Sequence, residues 1–274
     1  MASQWENLLQ NLGEWQGSFT RFSPQGEELS DTPTVVSLEG VNNNQAMHMV
    51  VRRLPPGQPP QEQVFDFSSL SKGALFFPNG AFSQGSLQWS PFSQFGAELG
   101  LIHKSRRMRM IQMFNQESKL EYLTLIREKL AGTDTPEREP LTVKQLLGEW
   151  QGEAMTIDHN FRSPETFSTR LHIRQEGENR LHQELKFGSR TITSTAKING
   201  STLLFEESDL PIQILLLPDA ASANCPLEIK RGYPFVLEAG WLIAPNLRHR
   251  IVRSYSDRGE LLNLTLVQEE KVSS

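Results

Sequence analysis

The sequence predicts an all-β protein built as two tandem antiparallel up-and-down β-barrels, each preceded by a short helix. Three observations lead to this fold class. The hexapeptide Leu-Gly-Glu-Trp-Gln-Gly occurs twice, at 12–17 and at 147–152. Short runs of alternating apolar and polar residues recur along both halves, separated by glycines or charged turns. Beyond the start of each half, no apolar pattern keeps the helical period of about 3.6 residues.

Each half is predicted to open with a short helix. Ser3 and Glu6 have the spacing of a capping box, in which two side chains satisfy the first free N–H groups of a helix. Thr142 and Gln145 repeat this spacing in the second half. Glycine follows at 13 and at 148, where we expect the helix to end and the first strand to begin.

The far ends of the two halves align without gaps. Leu123–Leu125 matches Leu264–Leu266, and two alternating runs flank a polar turn at 115–119 and again at 256–260. This pattern predicts a hairpin in each half. Further period-two runs predict strands upstream in the second half, at Thr169–Gln175, Leu181–Phe187 and Arg190–Ile198.

The domain organisation follows from these matches. We predict a first barrel over 1–132 and a second over 138–274, joined by the polar, proline-containing segment Ala131–Pro140. A second proline-rich loop is predicted at Leu54–Gln63. A two-sheet sandwich is the competing architecture. A closed barrel of about eight strands is either filled by its own side chains or holds one small ligand.

Composition excludes several classes of function. The chain has 27 Lys and Arg against 32 Asp and Glu, and this acidic balance argues against nonspecific binding of nucleic acid or anionic lipid. Cys225 is the only cysteine, so an intrachain disulfide is excluded. No metal-ligand spacing, cofactor motif or catalytic signature occurs. No apolar stretch is long enough to span a membrane and no secretory signal is recognised, so a cytoplasmic protein is expected.

The Gly-x-Trp on the first strand after a short helix resembles the opening of the lipocalins, or calycins. In that family the Trp packs across the closed end of the barrel against a basic residue from the last strand. Trp15 and Trp150 match the Trp position. Arg127 matches the basic partner in the first half, whereas Gln268 occupies that place in the second.

A longer stretch, Phe235–Trp241 with Arg248-x-Arg250 and Leu264–Val267, resembles an uncharacterised double-calycin family of oxygenic phototrophs. The wider calycin group includes bilin lyases, which hold an open-chain tetrapyrrole in such a barrel and deliver it to a phycobiliprotein. The resemblance therefore implies a tetrapyrrole-like ligand and a phycobiliprotein-type partner, by analogy at the level of the fold.

The penultimate strand of the second half contains the side chains best suited to bind a ligand. Alternation places Arg248 and Arg250 on one face and His249, Arg253 and Tyr255 on the other. The Arg-x-Tyr pair resembles the one with which intracellular lipid-binding proteins hold a carboxylate, and a guanidinium suits that geometry. Arginines on a strand also commonly lie on the solvated face, and alternation alone does not tell which face points inward.

Two comparisons between the halves refine this prediction. The first half has Gln112-x-Phe114 in place of the Arg-x-Tyr pair, which favours the second barrel as the binding site. Arg107 and Arg109 match Arg248 and Arg250, and Glu238 matches Glu98 after a one-residue shift, so each half has a glutamate just before the strand with the arginines. Such a glutamate has two interpretations. In the functional one it is a general acid or a partner for a pyrrole nitrogen, and in the structural one it forms an ion pair with the arginines.

The predicted function is intracellular, non-enzymatic binding of a small amphipathic or hydrophobic acid in the second barrel. The predicted ligand-binding residues are Arg253, Tyr255, Arg250, Arg248, Glu238 and His249. One alternative is a bilin lyase-like chromophore chaperone or enzyme, with Glu238 or His249 as acid/base and Arg253 as anion clamp. The other is a pair of closed, solid barrels that act as a scaffold for partner proteins, with the function on the surface.

Overall fold

The computed structural model describes residues 3–160 and 162–272, so the predicted domain limits at 1 and 274 lie outside the described residues. It contains two short helices, α1 (Gln4–Leu8) and α2 (Val143–Leu146), each of which precedes a β-sheet. In the described part of the chain, neither helix is long and apolar enough to cross a membrane.

The predicted capping boxes are confirmed at both helices. The backbone N–H of Glu6 donates to Ser3 Oγ at 3.1 Å, and the backbone N–H of Thr142 donates to Gln145 Oε1 at 2.8 Å. A single 3-10 turn extends α1 before the first strand. Both first strands then begin at a glycine with positive φ, +122° at Gly13 and +115° at 148, a conformation that glycine adopts without a Cβ clash.

The first sheet has nine antiparallel strands in the order β4-β3-β2-β1-β9-β8-β7-β6-β5. Its strands are β1 (Gly13–Phe22), β2 (Glu28–Val41), β3 (Ala46–Arg53), β4 (Gln61–Phe67), β5 (Leu75–Phe76), β6 (Phe82–Gly85), β7 (Phe95–His103), β8 (Arg106–Phe114) and β9 (Leu120–Leu130). The sheet curls into a half-barrel that stays open between β4 and β5. The loop predicted at 54–63 is shorter than expected, because β4 already begins at Gln61.

The second sheet is a closed antiparallel barrel of ten strands in sequence order. Its strands are β10 (Gly148–Ile157), β11 (Glu165–Glu176), β12 (Arg180–Phe187), β13 (Arg190–Asn199), β14 (Thr202–Phe205), β15 (Ile212–Leu216), β16 (Ala221–Pro226), β17 (Phe235–Ala244), β18 (Leu247–Tyr255) and β19 (Leu261–Lys271). The strands and hairpins predicted here are confirmed, and so is the all-β fold class of two calycin-like barrels.

The two barrels differ in closure. In the second half β14 pairs with both β13 and β15 and completes the ring. In the first half residues 68–74, all of which are described, form no strand between β4 and β5. The prediction of two closed barrels therefore holds for the second half, and the first half remains a cup with one open side.

The two sheets pack back to back through the outer faces of β7–β9 and β16–β19. One apolar cluster contains buried residues of both halves, among them Leu99 and Met110 from the first half and Leu237 and Ile251 from the second. Because these side chains alternate with inward-facing ones, the same strands turn their more polar faces into the barrels. The largest core of the protein therefore lies between the barrels.

Backbone hydrogen bonds across this interface come in matched pairs. The N–H of Leu120 donates to the carbonyl of Leu227 at 2.9 Å, and the N–H of Leu261 donates to the carbonyl of Leu87 at 2.7 Å. These pairs occupy equivalent positions of the repeat, since 120 matches 261 and 87 matches 227. The halves are therefore related by an approximate two-fold axis through the interface.

The segment 131–140 has no helix or strand, as predicted for a linker, but it is fastened to both halves. The backbone N–H of Arg138 donates to Asp219 Oδ1 at 2.7 Å, and the Arg138 guanidinium lies 4.7 Å from the centre of the Trp241 ring. Arg106 of β8 donates to the other oxygen of Asp219 at 2.5 Å. This buried carboxylate thus connects the first half, the linker and the second half.

Candidate functional site

A buried network of two arginines and two glutamates lines the inside of the first half-barrel. Arg109 Nη1 donates to Glu98 Oε1 at 2.6 Å and Arg109 Nη2 donates to Glu128 Oε1 at 2.9 Å. Arg107 Nε donates to the other oxygen of Glu128 at 2.7 Å. The network spans β7, β8 and β9, and alternation places all four side chains on the inner face of these strands.

The second barrel repeats this network with Glu238, Arg248, Arg250 and Glu269. Arg250 donates to Glu238 Oε1 at 3.2 Å and to Glu269 Oε1 at 3.1 Å, and Arg248 Nε also donates to Glu269. Glu238 therefore forms the ion pair that was one of its two interpretations from the sequence. Its other oxygen accepts a hydrogen bond from Asn224 at 3.2 Å.

Both networks are electrically balanced. Burial by itself raises the pKa of Glu128, but the charges and hydrogen bonds of Arg107 and Arg109 outweigh it and hold that pKa below its usual value. The same opposing causes lower the pKa of Glu269. Glu128 and Glu269 are therefore ionised at neutral pH, and the formal charges of the two arginines and two glutamates in each network sum to zero.

A tryptophan lies beneath each network. The guanidinium carbon of Arg107 is 4.4 Å from the centre of the Trp15 ring, and that of Arg248 is 4.9 Å from the centre of the Trp150 ring. The cation that covers the first tryptophan is thus Arg107. The expectation of Arg127 in this role was wrong, because its side chain points outward and pairs with Glu137.

A cavity of about 240 Å³ lies next to the network of the first half. Its apolar wall includes Val36, Leu38, Met49, Phe67, Leu70 and Phe82. Its polar end is formed by Gln84, Glu98 and Arg109, where Gln84 Nε2 donates to Glu98 Oε2 at 2.8 Å. We call this space the first-half cavity. Phe67 ends β4 and Leu70 follows it, so the cavity reaches the open side of the half-barrel.

The polar end of the cavity retains free hydrogen-bonding capacity. A guanidinium has five N–H groups. Arg109 uses three of them in bonds to Glu98 and Glu128, and the other two make no hydrogen bond to the described residues. Arg109 can therefore donate to an additional acceptor without giving up its ion pairs.

Arg253 and Tyr255, the predicted carboxylate clamp, lie between the two halves and not in a barrel. Arg253 is fully buried on the outer face of β18. All five of its N–H groups donate to protein oxygens, namely Tyr255 Oη, Ser83 Oγ and the carbonyls of Gly73, Gly85 and Ser86, at 2.6–3.2 Å. The ligand-binding role of Arg253 and Tyr255 stays a prediction. In the structure no N–H group of Arg253 is left free to bind a ligand.

The phenol of Tyr255 completes this contact. Its hydroxyl donates to the carbonyl of Ser86 at 2.8 Å, and burial raises its pKa although the Arg253 charge acts in the opposite direction. In the first half Gln112, at the position that matches Arg253, reaches across the same interface and donates to the carbonyl of Glu238 at 2.9 Å. In the sequence, the signal for an interface between the halves was a long polar side chain at this position in both copies.

His249 also lies on the outer face of β18. Its Nε2 is 3.1 Å from Gln268 Nε2, and its ring makes an edge contact with His103 of the first half at 5.9 Å between centres. Burial is the main cause that lowers its pKa to about 4. Of the six predicted site residues, the structure therefore brings only Arg248, Arg250 and Glu238 together inside a barrel.

Cys225 and metal-ligating residues offer no second site. Cys225 is buried at the interface, and burial raises the pKa of its thiol to about 12, which leaves no reactive thiolate. Within residues 3–160 and 162–272, no group of three or more His, Cys, Asp and Glu side chains could hold a metal ion.

Sequence reasoning ranked the first half behind the second and so missed the first-half cavity. Glu98, Arg107 and Arg109 were recognised only as matches to the second half. The cavity is formed by side chains from β2, β3, β4, β6, β7 and β8, which come together only in the folded sheet. The signal available in the sequence was the repeat itself, since both copies have the arginine pair and its glutamate.

Comparisons with known proteins identify relatives of both halves. Residues 1–133 match the family model of the N-terminal domain of unknown function DUF3598. Residues 137–272 match the model of the C-terminal domain of the biogenesis factor required for ATP synthase 1. No protein of curated function is detectably similar in sequence.

Two solved structures are informative to different degrees. A DUF3598 protein of unknown function from Nostoc punctiforme PCC 73102 is 50% identical, with 99% of this chain and 100% of that chain covered and a TM-score of 0.94. An S-type phycobiliprotein lyase from Guillardia theta is 13% identical, with 48% of this chain and 91% of that chain covered and a TM-score of 0.34. The second similarity is too low to support a statement on function.

Proposed function

The chain belongs to the DUF3598 family, and we propose that it binds a small, neutral and largely apolar molecule in the first-half cavity. The observation that carries the proposal is the cavity itself, in which an apolar wall leads to a polar end at Gln84, Glu98 and Arg109. Apolar walls with a few convergent polar groups are typical of small-molecule sites.

The charge balance of the network favours a neutral polar group on the ligand. Arg107 and Arg109 are already neutralised by Glu98 and Glu128. A carboxylate would therefore bring an unbalanced charge into a buried place, which is costly. A carbonyl or hydroxyl oxygen can instead accept hydrogen bonds from the two remaining N–H groups of Arg109. This proposal replaces the acidic ligand expected from the sequence with a neutral one.

The size of the cavity limits the ligand. Its volume of about 240 Å³ lies below the range of roughly 300–1,000 Å³ that is usual for sites of drug-sized molecules. A larger ligand, such as an open-chain tetrapyrrole, has to extend through the open side beside Leu70. The expected ligand is thus a short-chain alcohol, ketone or similar compound.

The second barrel remains the second candidate site, as the sequence suggests. Val236, Val252, Ile212 and Ile214 point into this barrel by strand alternation, yet each stays partly exposed. Residues that face a filled core would be buried, so their exposure supports an interior that solvent reaches. The lyase-like alternative predicts an acidic or tetrapyrrole-like ligand in this barrel.

A scaffold function is supported by a different observation. Residues 137–272 match the C-terminal domain model of a biogenesis factor required for ATP synthase. Under this second candidate function the chain assists the assembly of a protein complex, and its surface carries the activity.

The test uses the purified full chain and displacement of the neutral dye Nile red by a panel of alcohols, ketones, fatty acids and bilins. Met49→Trp fills the first-half cavity, and Gln183→Trp places the same bulk at the equivalent, half-buried position of the second barrel. We expect Met49→Trp to weaken binding of neutral compounds at least tenfold and Gln183→Trp to leave it unchanged. The reverse pattern would move the site to the second barrel, and no binding of any compound would refute a binding function.

A charge-changing variant tests the neutral-ligand argument separately. Glu98→Gln removes one carboxylate from the first network and leaves a net positive charge. We expect it to shift the preference of the cavity from an alcohol towards the fatty acid of equal chain length. Glu238→Gln makes the same change in the second barrel and serves as the matched control. An unchanged preference in Glu98→Gln would show that the network does not select the ligand.

A further inference from the structure

The open edge of the first sheet has features of a docking site for another polypeptide. We propose that an extended segment of a partner protein adds to β4 as an additional antiparallel strand, with apolar residues facing Val64 and Phe65 and a basic residue near Asp66. This inference does not depend on the small-molecule ligand proposed above.

The backbone of β4 is paired on one side only. β4 hydrogen-bonds to β3 through an uninterrupted register from Met47–Phe67 to Arg53–Gln61, and it is the last strand in the sheet order. Its other edge therefore presents a row of N–H and C=O groups with no strand partner among the described residues. Only a chain in extended conformation satisfies such a row completely.

The side chains of β4 do not protect this edge. Natural edge strands are commonly blocked by charged side chains, lysine above all, by proline or by a bulge. β4 has the sequence Gln-Glu-Gln-Val-Phe-Asp-Phe, without lysine, proline or bulge, and its two carboxylates pair with side chains of β3. Val64 on its outer face is 50% exposed and Phe65 on its inner face is 44% exposed. An added strand would cover both side chains, which is the arrangement expected of a strand-addition site.

The second half has a further strand next to the end of the matching strand. There β14 adds to the last three residues of β13, 197–199, and its inward side chains Leu203 and Phe205 are buried in the barrel. By the match of Met49 to Gln183, residues 197–199 correspond to 68–70, immediately after β4. The repeat therefore shows that a short strand with alternating apolar residues fits beside this end of the sheet, where the first half has none.

Charge argues against a second copy paired at this edge about Val64. Glu62 is paired with Arg52 at 2.8 Å, whereas the partner of Asp66 is His48, which carries a charge only when protonated. If two copies paired antiparallel about Val64, Glu62 of one would lie opposite Asp66 of the other. Like charges directly opposite each other are destabilising. A segment with Lys or Arg at this place is complementary instead.

The probe for this site is a synthetic peptide of alternating sequence, acetyl-Lys-Val-Lys-Phe-Lys-Val-Lys-Val-amide, with a fluorescent label. A peptide in which Glu replaces every Lys is the charge control. Binding to the full chain is followed by fluorescence anisotropy, and hydrogen exchange measured by mass spectrometry locates it. We expect the Lys peptide to bind at least tenfold more tightly than the Glu peptide and to slow exchange of the amides in 61–67.

Two controls separate strand addition from other binding. Peptides N-methylated at alternate residues block one edge of the peptide strand only, so one of the two sets should bind and the other should not. The double variant Val64→Ser, Phe65→Ser keeps the backbone and should weaken binding at least tenfold, and Asp66→Asn should reduce the preference for Lys over Glu.

Several results would overturn the proposal. Unchanged exchange in 61–67 with bound peptide, equal binding of both N-methylated sets, or equal binding of the Lys and Glu peptides would each exclude strand addition of this kind. Protection of 61–67 without peptide, together with a dimeric mass in solution, would show that a second copy occupies the edge.

Discussion

Replacing Arg253 with alanine tests whether the predicted carboxylate clamp is instead a fastening between the two halves. In the structure the guanidinium is fully buried and its five N–H groups donate to five oxygens. Four of these oxygens belong to residues 73–86 of the first half. A ligand-binding role predicts a loss of affinity, whereas the interface role predicts a loss of stability.

The size of the effect follows from these contacts. A hydrogen bond to a charged group contributes about 1.5–3 kcal/mol, but the contributions of neighbouring bonds do not add. The Arg253→Ala variant leaves buried carbonyls without hydrogen-bond donors. The loss of stability is comparable to that caused by breaking a buried charged network. We therefore expect the free energy of unfolding to fall by about 3–5 kcal/mol.

Urea unfolding followed by tryptophan fluorescence and by circular dichroism measures this change. Gln112→Ala removes only the hydrogen bonds from Gln112 to the carbonyls of Glu238 and Asn224 and should cost about 1–2 kcal/mol. Arg258→Ala, at an exposed arginine, should change stability by less than about 0.5 kcal/mol. If Arg253→Ala unfolds like the wild type but loses affinity for fatty acids, the interface role is refuted and the carboxylate clamp is restored.

Three further predictions concern separate places in the structure. Phe92 is 89% exposed and has φ +67°, a strained conformation for a residue with a side chain, whereas the second half has Gly232 at this position with φ +88°. Phe92→Gly should therefore raise the free energy of unfolding by about 1 kcal/mol. Unchanged or lower stability in urea unfolding would contradict backbone strain at Phe92. The pKa of His249 is near 6.5 in the unfolded chain and about 4 in the folded one. The free energy of unfolding of the wild type should therefore fall by up to about 3 kcal/mol as the pH falls through this window. The variant His249→Gln should show a shallower pH dependence of its urea midpoint, and equal slopes would contradict this assignment. Cys225, with its pKa raised to about 12, should not react with a disulfide reagent until urea unfolds the chain, so rapid labelling of the folded protein would contradict its burial.

Much of the fold was predictable because local signals and the repeat agree. The capping pairs Ser3–Glu6 and Thr142–Gln145 mark both helices, and polar turns at 115–119 and 256–260 lie between strands that end and begin next to them. Such signals depend on residues close in sequence. They identify elements and their order well, because turn and cap chemistry is local.

The candidate site was less predictable because it depends on the direction of side chains. Alternation separated Arg248 and Arg250 from Arg253 and Tyr255 correctly, but it could not tell which set faces the barrel. The usual expectation is an apolar interior and a polar exterior. Here the outer face of β18 is buried against the other half, so the set with Ile251 and Tyr255 lies in the shared core.

The duplication, the all-β class and the arginine–glutamate pattern that both copies share all follow from the amino-acid sequence. The folded chain alone shows that the copies pack back to back, that Arg253 fastens them together and that a cavity lies in the first half. The physical reason is that a period of two specifies two faces without ranking them. Which face is buried depends on the surface that meets it, and that surface comes from strands more than a hundred residues away, as the bonds from Arg253 to residues 73–86 show.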